Sequence, residues 1–171
     1  MTGRAKDVII RGAHNIDPGM IESALLKHPD VLMAAAVGEP DEYAGELPVA
    51  FVCLKPGARA DASAIAAIAA FAAPHIAERP AVPKRVDAIE AMPLTAIGKV
   101  YKPALRLRAT QRALQERLAR AGLSAAVRVQ VEESSGGLAV RFDLIEAHAE
   151  AAVRELMKPF ALAYTVAVGN S

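Results

Sequence analysis

One stretch of this sequence presents a lysine in a way that suits chemistry: Met92-Pro93-Leu94-Thr95-Ala96-Ile97-Gly98-Lys99-Val100-Tyr101-Lys102. Lys99 follows a glycine, which removes side-chain bulk beside it. A lysine held on such a loop delivers a compact point charge to a phosphate or a carboxylate. A solvated surface loop reads the same way, so this segment alone leaves both readings open. It is not a glycine-rich phosphate cradle of the G-x-x-x-x-G-K-S/T kind, because it has one glycine and valine follows the lysine.

A second stretch gathers polar groups near the start: Gly3-Arg4-Ala5-Lys6-Asp7, then Ile10-Arg11-Gly12-Ala13-His14-Asn15-Ile16-Asp17-Pro18, then Ile21-Glu22. Taken alone it is a charged loop, a strand, a glycine turn and a helix. The remaining candidates are weaker. His28 precedes Pro29 at a helix end, where an imidazolium complements the dipole. His75 and His148 sit on helical segments with no partners at metal-ligand spacing, so no metal site is expected. Glu132-Glu133 reads as a solvated strand end rather than an acid/base pair. Cys53 lies inside the apolar run Val49-Ala50-Phe51-Val52-Cys53-Leu54 and reads as a buried, inert thiol.

The elements that must position these residues follow from periodicity and turn chemistry. Asp7 to Gly12 is a short strand ending at a glycine. Asp17-Pro18 starts a helix, with Asp as the cap and Pro in the first turn; Ile21, Ala24, Leu25 and His28 share its face. Val31 to Val37 and Val49 to Leu54 are strands, joined by a polar loop from Gly38 to Glu46. Asp61 to His75 is an alanine-rich helix with Ile65, Ile68 and Phe71/Ala72 as its stripe. Pro80 and Pro83 bracket an extended piece, and Val86 to Ile89 is a short strand. Leu105 to Leu123 is a charged amphipathic helix that closes at Gly122. Beyond it Val127, Val129 and Val131 alternate with polar residues, as in a half-exposed strand. Ser134-Ser135-Gly136-Gly137 signals a hairpin, Leu138 to Phe142 is the return strand, Ile145 to Met157 a helix, and Ala161 to Val168 a last strand. The expected class is therefore α+β: a small sheet with packed helices, followed by a ββαβ unit. The expected division is residues 1–109 and 110–171, with the long helix as connector.

Composition narrows the function classes. The chain has 171 residues, a formal net charge of +1, 53% hydrophobic residues, 4% aromatics and no Trp. That balance argues against a general nucleic-acid binder, which needs a basic footprint, and against stacking platforms for single strands. A single cysteine excludes an intrachain disulfide framework. Pro and charges interrupt every apolar run, so no membrane span is expected, and the first residues lack the apolar core of a signal peptide. The default compartment is cytoplasmic.

Read together, the two stretches resemble the C-terminal domain of AMP-forming acyl-CoA synthetases, members of the adenylate-forming superfamily that also holds luciferases and peptide-synthetase adenylation domains. The resemblance covers roughly residues 2–108. It runs through Gly-Arg-x-Lys-Asp, Ile-Arg-Gly-x-x-Asn-Ile-x-Pro-x-x-Ile-Glu, His28-Pro29-x-Val31, and Ala35-Ala36-Val37-Gly38-x-Pro40-Asp41. It continues through Gly45-Glu46, Ala50-Phe51-Val52, Val82-Pro83-Lys84 and the Pro-Leu-Thr-x-x-Gly-Lys loop, in order and at the family's spacing.

The resemblance implies a two-step reaction: carboxylate and ATP give acyl-adenylate and pyrophosphate, then the CoA thiol displaces AMP. A larger N-terminal AMP-binding domain of the same polypeptide is the implied partner, with Mg bound by ligands outside this chain. Lys99 matches the family's catalytic lysine, Lys6 the hinge, and Arg4 a residue that points toward nucleotide phosphates. Gly12, Ala13 and His14 match the strand that borders the CoA tunnel. On this basis the chain is expected to be a piece of a longer enzyme, inactive by itself. Two other readings stay open: a non-catalytic binding or assembly module derived from this domain, or a ligase that uses a carrier-protein pantetheine instead of CoA. Residues 110–171 depart from the usual family ending, and packing or homo-oligomerisation is the expected role of that extension.

Overall fold

The computed structural model describes residues 7–135 and 137–168. Its centre is a long hairpin, β3 (Val31–Asp41) and β4 (Gly45–Leu54), paired antiparallel from Val31↔Leu54 to Asp41↔Gly45. Val49 to Cys53 are buried without a break. A continuous apolar run in a strand means that both of its faces are covered. Ala36, Ala50 and Val52 face one layer, built by α1 (Pro18–Leu25) and α2 (Ala62–Ala72). Ala35, Val37, Val49, Phe51 and Cys53 face the other, where Leu105 and Ala109 of α3 (Lys102–Arg120) pack. The strand order β2-β1-β4-β3 is completed by β1 (Ile9–Arg11), β2 (His14–Ile16) and β5 (Arg85–Ala88), the last parallel to β4.

Local chemistry sets the helix starts. Asp17 Oδ1 accepts from Gly19 N at 2.9 Å, with Pro18 in the first turn. Asp61 Oδ1 accepts from Ala64 N at 3.0 Å. That bond, aided by Arg59, holds the Asp61 carboxyl below its usual range. On α2, Ile68 and Ala72 are buried, but Phe71 is turned outward between the rings of His28 and His75. It is therefore not part of the core stripe.

Several boundaries differ from the sequence expectation. The polar loop expected over 38–46 is mostly strand, with only residues 42–44 left as its turn. Glu39 can sit in a strand at 1% exposure because Arg85 Nη2 donates to it at 2.6 Å and Lys84 reaches it at 3.4 Å. A buried carboxylate is tolerated only when paired in this way. The piece between Pro80 and Pro83 is not wholly extended, since a 3-10 turn occupies Arg79–Ala81. α3 begins at Lys102 rather than Leu105, using Pro103 in its first turn. The segment Ile145 to Met157 is helical only from Ala147 onward, as a 3-10 turn leading into α4 (Glu150–Met157). β2 carries no sequence signal of its own: it pairs with β1 as three residues only.

Beyond α3 a second sheet forms, in the order β6-β7-β8: β6 (Val127–Ser134), β7 (Gly137–Leu144) and β8 (Ala163–Val168). β6 and β7 make the expected hairpin, with Ser134 opposite Gly137; Gly136 of that turn lies outside the described residues. α4 carries the chain over to β8, which runs parallel to β7. The core of this unit joins Val129, Val140, Phe142 and Leu144 to Val153 and Met157, and also to Leu114 and Leu118 of α3.

α3 thus serves both cores. Leu105 and Ala109 are one turn apart, as are Leu114 and Leu118, but five residues separate Ala109 from Leu114. At about 100° per residue, the offset of nine residues from Leu105 to Leu114 puts the second stripe about 180° from the first. One rigid rod joins the two sheets. Further bonds cross the same junction. Arg117 pairs with Glu42 at the tip of the β3–β4 hairpin and stacks 5.0 Å from the Phe160 ring. Gln111 Nε2 donates to the Val129 carbonyl at 2.6 Å.

The hydrogen bond from Arg117 holds the Glu42 carboxyl below its ordinary value of 4.5. A depressed folded-state value stabilises the fold above the ordinary pKa and loses that effect as pH falls through the depressed one. Glu42→Gln is therefore expected to lower the melting temperature at neutral pH. The gap to the parent chain should close as the pH is taken below the ordinary carboxylate range, in melts followed by circular dichroism.

Candidate functional site

Lys99 stands at the end of a tight, well-braced turn. Thr95 N donates to the Lys99 carbonyl at 2.7 Å, and Gly98 N to the Thr95 carbonyl at 2.9 Å. Lys99 N donates to Thr95 Oγ1 at 3.1 Å. Leu94 bridges Val100 below, and Tyr101 N donates to the Pro93 carbonyl at 2.8 Å. This is the pattern of a three-residue hairpin loop closed by a glycine in the left-handed region, and Gly98 has φ +74°. The motif residues Thr95 and Gly98 therefore have a structural duty: they fix the backbone from which Lys99 projects.

The Lys99 side chain is exposed and has no ion-pair partner among the described residues. Leu94 (49% exposed) and Ile97 (78%) surround it with bare apolar surface. Beside the loop, Tyr101 Oη donates to Glu133 Oε2 at 2.6 Å. Accepting that bond, Glu133 holds the Tyr101 phenol above its usual range. Glu133 is thus no acid/base partner of Glu132 but a strut from the second sheet to the base of the lysine loop.

Gly12, Ala13 and His14 form the tip of the β1–β2 hairpin. Gly12 takes φ +58° at the first loop position, as a two-residue II′ turn requires. A Cβ on Gly12 would meet nothing within 4 Å, so backbone conformation alone favours glycine within this chain. The hairpin borders an open groove of about 450 Å³, flanked by the side chains of Arg11, His14 and Arg79. Arg11 Nη1 donates to the Pro80 carbonyl at 2.7 Å, which fixes one wall.

The two candidate regions root in different layers. Met92 and Val100, which flank the lysine loop, belong to the α3 side of the sheet. Ile9 and Ile16, the feet of the Gly12 hairpin, belong to the α1–α2 side. No hydrogen bond or ion pair joins them among the described residues. Lys6 and Arg4, the expected hinge and nucleotide residues, lie outside the described residues.

Sequence reasoning did not find what fastens the chain just after that expected hinge. Glu46 Oε2 accepts from Ile10 N at 2.8 Å, Gly12 N donates to the Ala44 carbonyl at 2.7 Å, and Arg11 pairs with Gly45. A Cβ on Gly38 would lie 2.5 Å from the Glu46 carboxylate. Gly38, Gly45 and Glu46 therefore act together to pin β1 to the hairpin. Glu22 has a similar job, accepting from Ala36 N at 2.9 Å and Lys102 Nζ at 2.7 Å, so it ties α1, β3 and α3 together. The signal was present in the motif letters, but only the contacts show that they serve anchoring.

The other candidates have ordinary surroundings. Burial pushes the Cys53 thiol up, opposed by a smaller effect of the Met92 N–H. His28 Nδ1 accepts from Asp30 N at 3.2 Å, and His75 Nδ1 lies 2.9 Å from the Phe71 carbonyl. Among the described residues no group of three or more His, Cys, Asp or Glu side chains is placed to hold a metal ion.

Residues 20–99 match the AMP-binding enzyme C-terminal domain family. This segment belongs to that family. The chain is 49% identical over 106 residues to the marinolic acid–CoA ligase of a Pseudoalteromonas strain, covering 62% of this chain and 16% of that enzyme. Among solved structures it is similar to the acyl-CoA synthetase of Brucella canis, with a TM-score of 0.59 and 36% identity, over 65% of this chain and 20% of that one. It is also similar to an amide bond synthetase from Marinactinospora thermotolerans, with a TM-score of 0.57 and 36% identity, over 64% and 22% of the two chains. The chain thus spans about a fifth or less of the length of these relatives. No helix among the described residues is long and apolar enough to cross a membrane.

The Glu46 anchor has a measurable consequence. A hydrogen bond to a charged group contributes about 1.5–3 kcal/mol, so its loss should speed local opening about tenfold or more. Gly38→Ala, which displaces the carboxylate, and Glu46→Ala, which removes it, are both expected to accelerate Ile10 amide exchange by that factor. Exchange at core strand amides such as Phe51 should change far less.

Proposed function

We propose that this chain works as the C-terminal lid of an AMP-forming acid–thiol ligase, with Lys99 as its adenylation cation. The observation that carries the reading is Lys99, exposed and without an ion-pair partner among the described residues, on a braced turn inside a segment that matches this family. Residues 1–109 are then the lid, and 110–171 an extension that α3 carries with it.

In the first half-reaction a carboxylate oxygen attacks the α-phosphorus of ATP. The new O–P bond forms as the bond to pyrophosphate breaks, and negative charge shifts along that line. A fixed ammonium near the carboxylate and phosphate oxygens stabilises this redistribution better than mobile water does. Leu94 and Ile97 supply apolar surface around the ammonium, suited to docking on the large domain while excluding water. In the second half-reaction the CoA thiol gives up its proton, attacks the acyl carbonyl, and AMP leaves to give the thioester.

The lid cannot offer both faces at once. Lys99 and the Gly12 hairpin rise from opposite layers of one sheet, so serving both steps calls for a rotation, for which we assign Lys6 as the pivot. A pivot needs stiff flanks, and the two hydrogen bonds and one strand pairing that hold residues 10–12 provide one. After rotation Gly12, Ala13 and His14 border the thiol's approach, while Arg4 faces nucleotide phosphates during the first step. The bonds of Tyr101 and Arg117 to Glu133, Glu42 and Phe160 make the extension turn with the lid as one body. Similarity to both a CoA synthetase and an amide bond synthetase leaves the acceptor as the variable part. Assays with CoA, a pantetheine-bearing carrier protein and simple amines separate these outcomes.

The test uses this chain joined behind the AMP-binding domain of an acyl-CoA ligase, with the two half-reactions assayed separately. Losing one placed donor to a developing anion typically removes about 3–4 kcal/mol, a factor of about 100–1000. Lys99→Ala should therefore slow pyrophosphate release by that factor and leave thioester formation from supplied acyl-adenylate near the parent rate. Lys6→Pro should instead slow the second step most. Equal losses in both half-reactions for Lys99→Ala would remove it from the adenylation role.

A further inference from the structure

β6 runs back along α3 toward the lysine loop. Gln111 Nε2 donates to the Val129 carbonyl at 2.6 Å, and Tyr101 Oη donates to Glu133 Oε2 at 2.6 Å. On the helix side the two bonds are ten positions apart, about 15 Å at 1.5 Å per residue. On the strand they are four positions apart, about 13 Å at 3.3 Å per residue. The later helix residue meets the earlier strand residue, so helix and strand lie antiparallel and nearly in step. Leu107 packs between the two bonds, into the core that holds Val129 and Val131. This alignment delivers the far end of β6 to the point where the lysine loop enters α3. The loop tip has no core of its own, since Leu94 and Ile97 are exposed, and its direction is therefore set at its base. Successive residues there reach different elements: Tyr101 reaches β6, and Lys102 Nζ pairs with Glu22 of α1 at 2.7 Å. Two such ties restrain the tilt of a hairpin in a way that one cannot.

We propose that Tyr101 and Glu133 are positioning residues for Lys99, and that through their bond the second sheet sets the tilt of the lysine loop for the adenylation half-reaction. This inference rests on the adenylation role proposed above for Lys99. Tyr101 and Glu133 both lie past the residues that match the family, so that match assigns neither of them a role. The ammonium sits at the end of a lever that begins at Tyr101. Misplacing a reacting group by about 1 Å can cost about 100-fold in rate, so a small tilt at the base matters at the tip. One hydrogen bond shifts the balance between two orientations by about three- to tenfold. Losing this one leaves the loop in its productive orientation for a correspondingly smaller part of the time. Neither residue touches a reacting atom in this scheme; both act on Lys99 through the backbone of residues 99–101.

Orientation can be read without any reaction. In the 171-residue chain, backbone residual dipolar couplings of residues 95–100 are expected to fit the same alignment as those of α3, and in Tyr101→Phe and Glu133→Ala to shrink away from that fit. The same variants, in the fusion behind an AMP-binding domain, should slow the kcat of pyrophosphate release about three- to tenfold, with KM for ATP and carboxylate unchanged. Thioester formation from supplied acyl-adenylate should keep the parent rate. Tyr101→Phe combined with Glu133→Ala should be no slower than either alone, and Glu133→Gln, which keeps an acceptor oxygen for the phenol, should recover most of the loss. Loop couplings that stay on the α3 alignment in both single variants would overturn the proposal, as would equal losses in the two half-reactions or effects that multiply in the double variant. Lys99→Ala in parallel separates the two levels. If it slows pyrophosphate release while Tyr101→Phe and Glu133→Ala do not, this inference alone falls; if it has no effect, the adenylation reading falls and takes this one with it.

Discussion

The molecule depends on a hairpin that is apolar on both faces. Val49 to Cys53 alternate between two layers without meeting water, so helices must cover the sheet from both sides. That requirement decides where everything else goes. α1 and α2 take one face, and with them come Ile9, Ile16 and the Gly12 turn. α3 takes the other, bringing Met92, Val100 and the loop that bears Lys99. The separation of the two candidate regions is thus a by-product of core burial, not an added feature. Fully burying a side chain such as Phe51 or Ile21 contributes about 1.5–3 kcal/mol, so the layering is far more strongly determined than any surface contact at either site.

α3 extends the same logic past the first core. Its two stripes, about 180° apart, commit it to two sheets, and a helix with both halves packed has little freedom to bend. Arg117 ends near Glu42 and Phe160 at once, and Tyr101 at the helix start reaches Glu133. The extension is consequently not a tethered appendage. Any motion of the lysine loop relative to an outside partner moves the second sheet too, and any contact made by the second sheet bears on the orientation of the loop.

Much of this was legible in the residue order, for identifiable reasons. Asp17-Pro18 and Asp61 announced their helices because capping is local chemistry. The β6–β7 hairpin showed in strict alternation, since one of its faces is solvated. The lysine loop was legible because glycine after a turn has few other uses. What escaped was non-local. Glu39 reads as a loop residue until Arg85 is brought opposite it from forty-six residues away. Gly38 reads as a turn residue, whereas its true constraint is the Glu46 carboxylate across the hairpin. β2 is three residues long and exists only because β1 lies beside it. Phe71 fits a helical stripe by spacing but leaves it for the rings of two histidines.

The electrostatics around Lys99 differ from those of its neighbours in a way that bears on its use. Lys102 is bound to Glu22, Lys84 to Glu39, and Arg112 to Asp87 and Glu116. Each of these cations holds two elements together, and each is unavailable to an incoming anion because its charge is already matched. Lys99 is three residues from Lys102 but sits on a turn whose own bonds are all made by backbone and Thr95. The turn therefore keeps its shape without drawing on the ammonium. A cation left hydrated at the surface costs the fold little, and in the role proposed for Lys99 no internal partner has to be displaced before a carboxylate or phosphate meets it. Placing an acidic partner within the loop would stabilise the turn only slightly, since exposed pairs contribute about 0–1 kcal/mol, and would oppose the anion that the proposed role brings to Lys99.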